Sequence, residues 1–132
     1  MWEGWKPMDI TPLIPADRQV IDAYGPGRFR VSNVVYETPI IVFPDRTIPW
    51  TVDGFAGLRP DDFAALIAEQ PSLEIVLLGT GPTMQLFTST LRRAVKERGL
   101  GGIDAMDTGA ACRTYNVLLA EGRRVAAALL PA

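Results

Sequence analysis

The chain has 132 residues, 48% of them hydrophobic and 21% charged, with a net charge of -2. That is enough chain for one soluble domain whose core needs neither disulfides nor a metal. With no histidine and one cysteine, it lacks the usual general base, the commonest zinc ligand, every Ser-His or Cys-His pair and any CxxC motif. Ordinary hydrolase chemistry is excluded, no metal or cofactor is expected, and the single thiol fits a reducing compartment, so a cytoplasmic location is expected.

Residues 1–18 read as an extended arm and residues 19–132 as a single domain. Pro7, Pro12 and Pro15 deny the arm regular helix. It carries Trp2 and Trp5 ahead of a second methionine, Met8, so its first seven residues form an optional extension; the indoles dock back on the body or meet a partner. Nothing in it has the basic start and apolar core of a secretory signal. No apolar run in the chain has the length needed to cross a bilayer.

A run of strands follows. Residues 20–24 and 28–31 flank the turn Gly25-Pro26-Gly27, and Phe29 and Val31 alternate with Arg28 and Arg30 as in a sheet with one wet face. Residues 33–36 and 39–43 are β-branched and aromatic enough to be strands. Residues 47–52 contain Pro49 and read as an edge segment. Up to Asp53 the chain is expected to be one β meander.

The period then changes. Pro60, Asp61 and Asp62 open a helix whose stripe is Phe63, Leu66 and Ile67 and which Pro71 ends. The paired acids are read as caps rather than as catalytic groups. Residues 73–78, LEIVLL, have the length and continuous apolarity of a strand covered on both faces, and Gly79-Thr80-Gly81-Pro82 follows. A helix over residues 88–98 is rich in Arg92, Arg93, Lys96 and Arg98 and stops at Gly99. Charge is unevenly spread: residues 1–75 carry 6 basic and 11 acidic side chains, or -5, and residues 76–132 carry 7 and 4, or +3. The basic helix is read as a solvated face, because nucleic-acid binding wants a larger excess with interleaved aromatics.

Residues 102–106 form the next strand and residues 124–130 the last. Between them, Asp107 or Thr108 caps a helix with Ala111, Tyr115, Leu118 and Leu119 on its buried stripe and Gly122 as its left-handed stop. Gly109 lets another chain approach closely. Asn116 sits at the edge of the buried face, where an amide either pins a neighbouring loop or contacts a ligand. Helix and strand alternate from residue 60, which implies βαβ units and a largely parallel sheet with a ligand basin beyond the carboxyl ends of its strands. Gly79, Thr80, Gly81, Asp107, Thr108, Arg113 and Asn116 would line that basin and could hold a small anionic ligand. The GTG corner lacks the lysine of a phosphate loop and the GxGxxG fingerprint.

The strand end LLGTG, the later MDTGAACRTYNVLLAEGRRVAAALL, and Tyr24, Gly25, Phe29, Pro44 and Trp50 together resemble the Mth938-domain family, catalogued as a domain of unknown function. The likeness runs from about Asp9 to the end, and MDTGAACRTYN is its specific part; Asp104 stands where glutamate is frequent in the family. The resemblance implies a three-layer α/β fold with a mixed central sheet, helices packed on it and additional N-terminal β structure. It implies kinship with a mitochondrial complex I assembly factor and an adipogenesis-associated protein, and hence a protein partner. It transfers no catalytic residue and no cofactor. Two functional readings follow: a non-catalytic binding or assembly factor, and an enzyme or small-molecule receptor with Asp107 as acid or base, Arg113 on an anionic group and Asn116 orienting the substrate.

Overall fold

The computed structural model describes residues 4–7 and 14–132. Four antiparallel strands, β1 (Lys6–Pro7), β2 (Ile21–Gly25), β3 (Arg28–Val31) and β4 (Val34–Tyr36), form one sheet in that order. A second sheet holds β5 (Ile40–Val42), β6 (Thr47–Pro49), β7 (Ile75–Gly79), β8 (Ile103–Met106) and β9 (Val125–Leu129) in the order β6-β5-β9-β7-β8. Its β8, β7 and β9 are parallel, whereas β5 runs antiparallel to both β9 and β6.

This corrects the expected meander. Only the strands through Tyr36 form it; β5 and β6 cross to the second sheet, which is therefore mixed rather than largely parallel. The reason lies in β5, whose three residues, Ile40, Ile41 and Val42, are all buried and so need cover on both faces. Pro49 stands in the terminal strand β6, where a missing N–H interrupts no ladder. In the arm, Lys6 and Pro7 pair with Tyr24 and Ala23, and Trp5 lies under Arg28 and Arg30 at 4.8 and 5.8 Å. The expectations for Trp2, Met8 and Pro12 fall outside the described residues.

Alternation along the central strands divides the core in two. Ile41, Val76, Leu78, Ala126 and Ala128 face a cluster with Phe63, Leu66, Val95 and Leu100. These come from α1 (Ala64–Ala68) with the 3-10 turn Pro60–Phe63 before it, from α2 (Ser89–Glu97), and from the loop after α2. Trp50 and Phe87 meet Phe63 edge-on at 5.9 and 5.8 Å, contacts worth about 0.5–1.5 kcal/mol each beyond their buried area. The helix expected over residues 60–71 is thus a 3-10 turn and a short α-helix. The Asp62 carboxylate reaches back to accept from the N–H of the N-cap residue Arg59 at 2.8 Å, while Asp61 pairs with Arg98 instead of capping.

On the other face, Val42, Leu77, Ala127 and Leu129 cluster with Ala111, Cys112, Tyr115 and Leu119 of α3 (Thr108–Ala120) and with Ile21, Phe29 and Val31 of the first sheet. Covered by two sheets, α3 buries a wider arc than one stripe: Thr108, Gly109, Cys112 and Asn116 are buried as well. The small side chains of β9, VAAAL, let its neighbours close in on both faces.

Candidate functional site

The two glycine corners do meet at one rim of the central sheet. Because β7 is hydrogen-bonded to both β8 and β9, the chain leaving β7 lies against the start of α3 and the end of β9. The Thr80 N–H donates to the Met106 carbonyl at 2.8 Å, and the Thr108 N–H to the Gly81 carbonyl at 2.8 Å. The Thr108 hydroxyl donates to the Leu130 carbonyl at 2.7 Å and accepts from the Gly81 N–H at 2.9 Å. The Thr80 hydroxyl has one proton for two carbonyls, Thr83 at 2.7 Å and Met106 at 3.2 Å, and accepts from the Gln85 N–H at 3.0 Å. A Cβ on Gly79 would lie 2.9 Å from the Thr108 hydroxyl, so the contact itself requires glycine.

The basin of free amides and hydroxyls expected here is therefore closed by the protein's own bonds. Corners this close satisfy one another, since an unpaired buried polar group costs about 1–3 kcal/mol. Asp107 caps α3, accepting from the Ala110 N–H at 3.0 Å. Asn116, 3% exposed, accepts from the Ile21 N–H at 3.1 Å and donates to the Ile21 carbonyl at 2.9 Å. The amide stands in for a strand at Ile21, beyond the reach of β1, which pairs only with Tyr24 and Ala23, and so pins the start of β2. Arg113 is exposed and donates to the Tyr24 hydroxyl at 3.3 Å, over the spot where Gly109 lets that ring approach. The structure thus brings Gly79, Thr80, Gly81, Asp107 and Thr108 together, and sets Arg113 and Asn116 against the first sheet.

Cys112 is fully buried, and desolvation pushes its thiol up to about 12, so the thiolate a nucleophile needs is suppressed. Tyr115 is also raised by burial, and its hydroxyl has one proton for two carbonyls, Gln19 at 2.9 Å and Phe43 at 3.2 Å, which holds the segment before β2 and the end of β5 against α3. Among the described residues no group of three or more Asp, Glu, Cys or His could hold a metal ion, and no helix is long and apolar enough to cross a membrane.

Sequence reasoning missed what Thr80 does to the loop behind it. With Thr83 and Gln85 bonded back to Thr80, including the Gln85 amide on the Thr80 carbonyl at 3.3 Å, the loop is held in a turn that leaves Met84 53% and Leu86 77% exposed. Phe87 then turns inward to the core under Arg92, whose guanidinium lies 4.9 Å above the ring and donates to the Ile103 carbonyl at 2.8 Å. The only sequence signal for this was the odd apolar content of the segment between Pro82 and Thr88.

Similarity to known proteins agrees with this architecture. An uncharacterized protein of Rhodobacter capsulatus is 40% identical over 111 residues, covering 84% of this chain and 83% of that protein. Human NADH dehydrogenase [ubiquinone] 1 alpha subcomplex assembly factor 3 is 31% identical over 116 residues, covering 88% of this chain and 62% of the human protein. The solution structure of a Bordetella pertussis protein described as a Mth938-like domain superposes with a TM-score of 0.73 at 32% identity, covering 96% of this chain and 92% of that one. Residues 21–130 match the profile of the family described as "Protein of unknown function (DUF498/DUF598)", and the chain belongs to that family.

Proposed function

We propose that this chain is a non-catalytic protein-binding factor that acts in the assembly of a respiratory NADH dehydrogenase, working in the reducing cytoplasmic compartment its single buried thiol suits. The observation that carries the binding role is the loop after β7. A leucine and a methionine exposed on a turn that is fixed by hydrogen bonds form a preorganised apolar contact, which loses little conformational freedom on docking. The choice of target rests on the relatives, among them the human and bovine assembly factors, the bovine one 32% identical with 96% of this chain covered. The alternative, a ligand or catalytic site at the two corners, is left with few unspent groups, since the amides and hydroxyls there are bonded to each other.

The test is genetic and biochemical. In a strain lacking this protein, native gels should show NADH dehydrogenase stalled as subassemblies. Wild type should restore the full enzyme, and a Met84→Asp, Leu86→Asp variant that melts like wild type should not. Full-size NADH dehydrogenase in the deletion strain would rule the role out.

A further inference from the structure

The two sheets end in four edge strands, β6 and β8 in one, β1 and β4 in the other. An open edge offers unpaired N–H and C=O groups to any other chain, and three of the four are blunted. In β6, Trp50 turns its N–H to the Pro39 carbonyl, so Pro49 before it faces outward, where proline has nothing to donate. In β8, the Met106 carbonyl points inward to the Thr80 N–H. That of Ile103, three residues back, points outward, and the Arg92 guanidinium covers it at 2.8 Å. β1 is two residues long and consists of a lysine and a proline.

β4 has none of these devices. Val34, Val35 and Tyr36 carry neither charge nor proline, and Val34 is 52% and Val35 37% exposed, on opposite faces. The hydrogen-bonding phase of the strand follows from the turn before it. Ser32 and Asn33 take φ 46° and 70°, the left-handed pair of a two-residue hairpin turn, which makes Val31 and Val34 a bonded pair. The Ser32 N–H donates to the Val20 carbonyl at 2.8 Å and so points away from β4, as that phase requires. Val35 is one residue on from Val34; its N–H and carbonyl face away from β3, and among the described residues nothing bonds to them.

We propose that β4 pairs antiparallel with β4 of a second copy of this chain, about a two-fold axis at Val35, joining two four-stranded sheets into one. The occupant follows from self-complementarity. One outward N–H and one outward carbonyl on a single residue are both satisfied by the same residue of a copy turned through a half-circle, each N–H donating to the other carbonyl. That register sets Val35 against Val35 of the copy on one face and Val34 against Tyr36 on the other, β-branched and aromatic pairs that favour a sheet. Glu37 falls opposite Asn33, so no carboxylate meets a carboxylate. Arg30, beside Val35 on β3, stands three strand spacings from its counterpart, about 14 Å and beyond the ~10 Å over which charges interact at 0.1 M salt. A seam three residues long falls short of the ~1,200 Å² of a standing interface, so the dimer forms and parts with concentration. It involves neither the loop after β7 nor the assembly role, and either can fail alone.

Sedimentation equilibrium of the full chain between roughly 10 μM and 1 mM, with amide hydrogen exchange at both ends of that range, tests it. Expected is a mass that rises from 14.4 kDa towards twice that value, with exchange of the Val35 N–H slowing at the concentrated end. Val35→Lys sets two like charges against each other, and Val35→Pro removes the donor without touching the ladder to β3. Each should melt like wild type and weaken association at least about tenfold. Val35→Thr and Val117→Lys, the latter at an exposed apolar position on α3, should associate as wild type does. A monomer at the highest concentration, undiminished association in Val35→Lys or Val35→Pro, or a Val35 N–H that exchanges equally fast at both ends would overturn the proposal. So would protection of that N–H by a different protein in host extract while the pure chain stays monomeric.

Discussion

Replacing Asn116 by alanine tests whether this amide is a structural clamp. The substitution removes two hydrogen bonds and strands the N–H and carbonyl of Ile21, a residue with no exposed surface. Each lost bond is worth about 0.5–1.5 kcal/mol net, and each buried backbone group left unpaired about 1–3 kcal/mol, with the two measures overlapping. A loss of roughly 2–5 kcal/mol follows, against a total stability of about 5–15 kcal/mol for a domain of this kind. At about 4 °C per kcal/mol for a chain of this length, the melting temperature should fall by roughly 8–20 °C. Urea titration with an unchanged slope would assign the change to stability alone. A cost below about 0.5 kcal/mol would refute the clamp and point to an amide held for something outside the fold.

Further outcomes follow from the same contacts. Gly79→Ala should cost about 1–3 kcal/mol, because its Cβ would sit 2.9 Å from the Thr108 hydroxyl and 3.0 Å from a Leu129 methyl, while Gly57→Ala, with nothing within 4 Å, should stay within about 0.5 kcal/mol of wild type in the same denaturation assay. Thr108→Val keeps the shape but removes the donor to Leu130 and the acceptor for Gly81, so a loss of about 2–4 kcal/mol is expected; a variant as stable as wild type would mean that the corner closes without that hydroxyl. Cys112 titrates at about 12 in the fold against 9.0 for an ordinary solvated thiol, so the unfolded chain sheds this proton first. Its contribution is fully present below pH 9.0 and is lost as pH rises towards about 12, at up to about 1.4 kcal/mol per pH unit. Cys112→Ala should flatten the alkaline limb of the stability curve, leaving the part due to Tyr115, and an unchanged limb would contradict the burial of the thiol.

The sequence carried local events more legibly than assembly. The stop at Gly122 and the cap at Asp107 depend on residues within one turn of each other and have the expected geometry; Gly109 shows the expected close approach, but that its partner is Tyr24 was not legible locally. Which sheet a strand joins depends on partners far away, and so the local pattern groups β5 and β6 with the strands before them. The unbroken apolar run Ile40-Ile41-Val42 was the clue, since it suits a strand covered on both faces, as its full burial shows. The seven residues expected to line a basin show the same limit. Types and positions that suit an anion also suit two corners that satisfy each other, and only distances such as Thr108 N–H to Gly81 separate the cases.

Placing a photoreactive residue at position 86 in the native host, with one at the surface position Glu121 as control, tests the docking role most directly. The account predicts a crosslink from position 86, and not from 121, to a subunit of NADH dehydrogenase while the enzyme is being built. A protein that forms no such crosslink, in cells whose NADH dehydrogenase assembles through the same period, would contradict it.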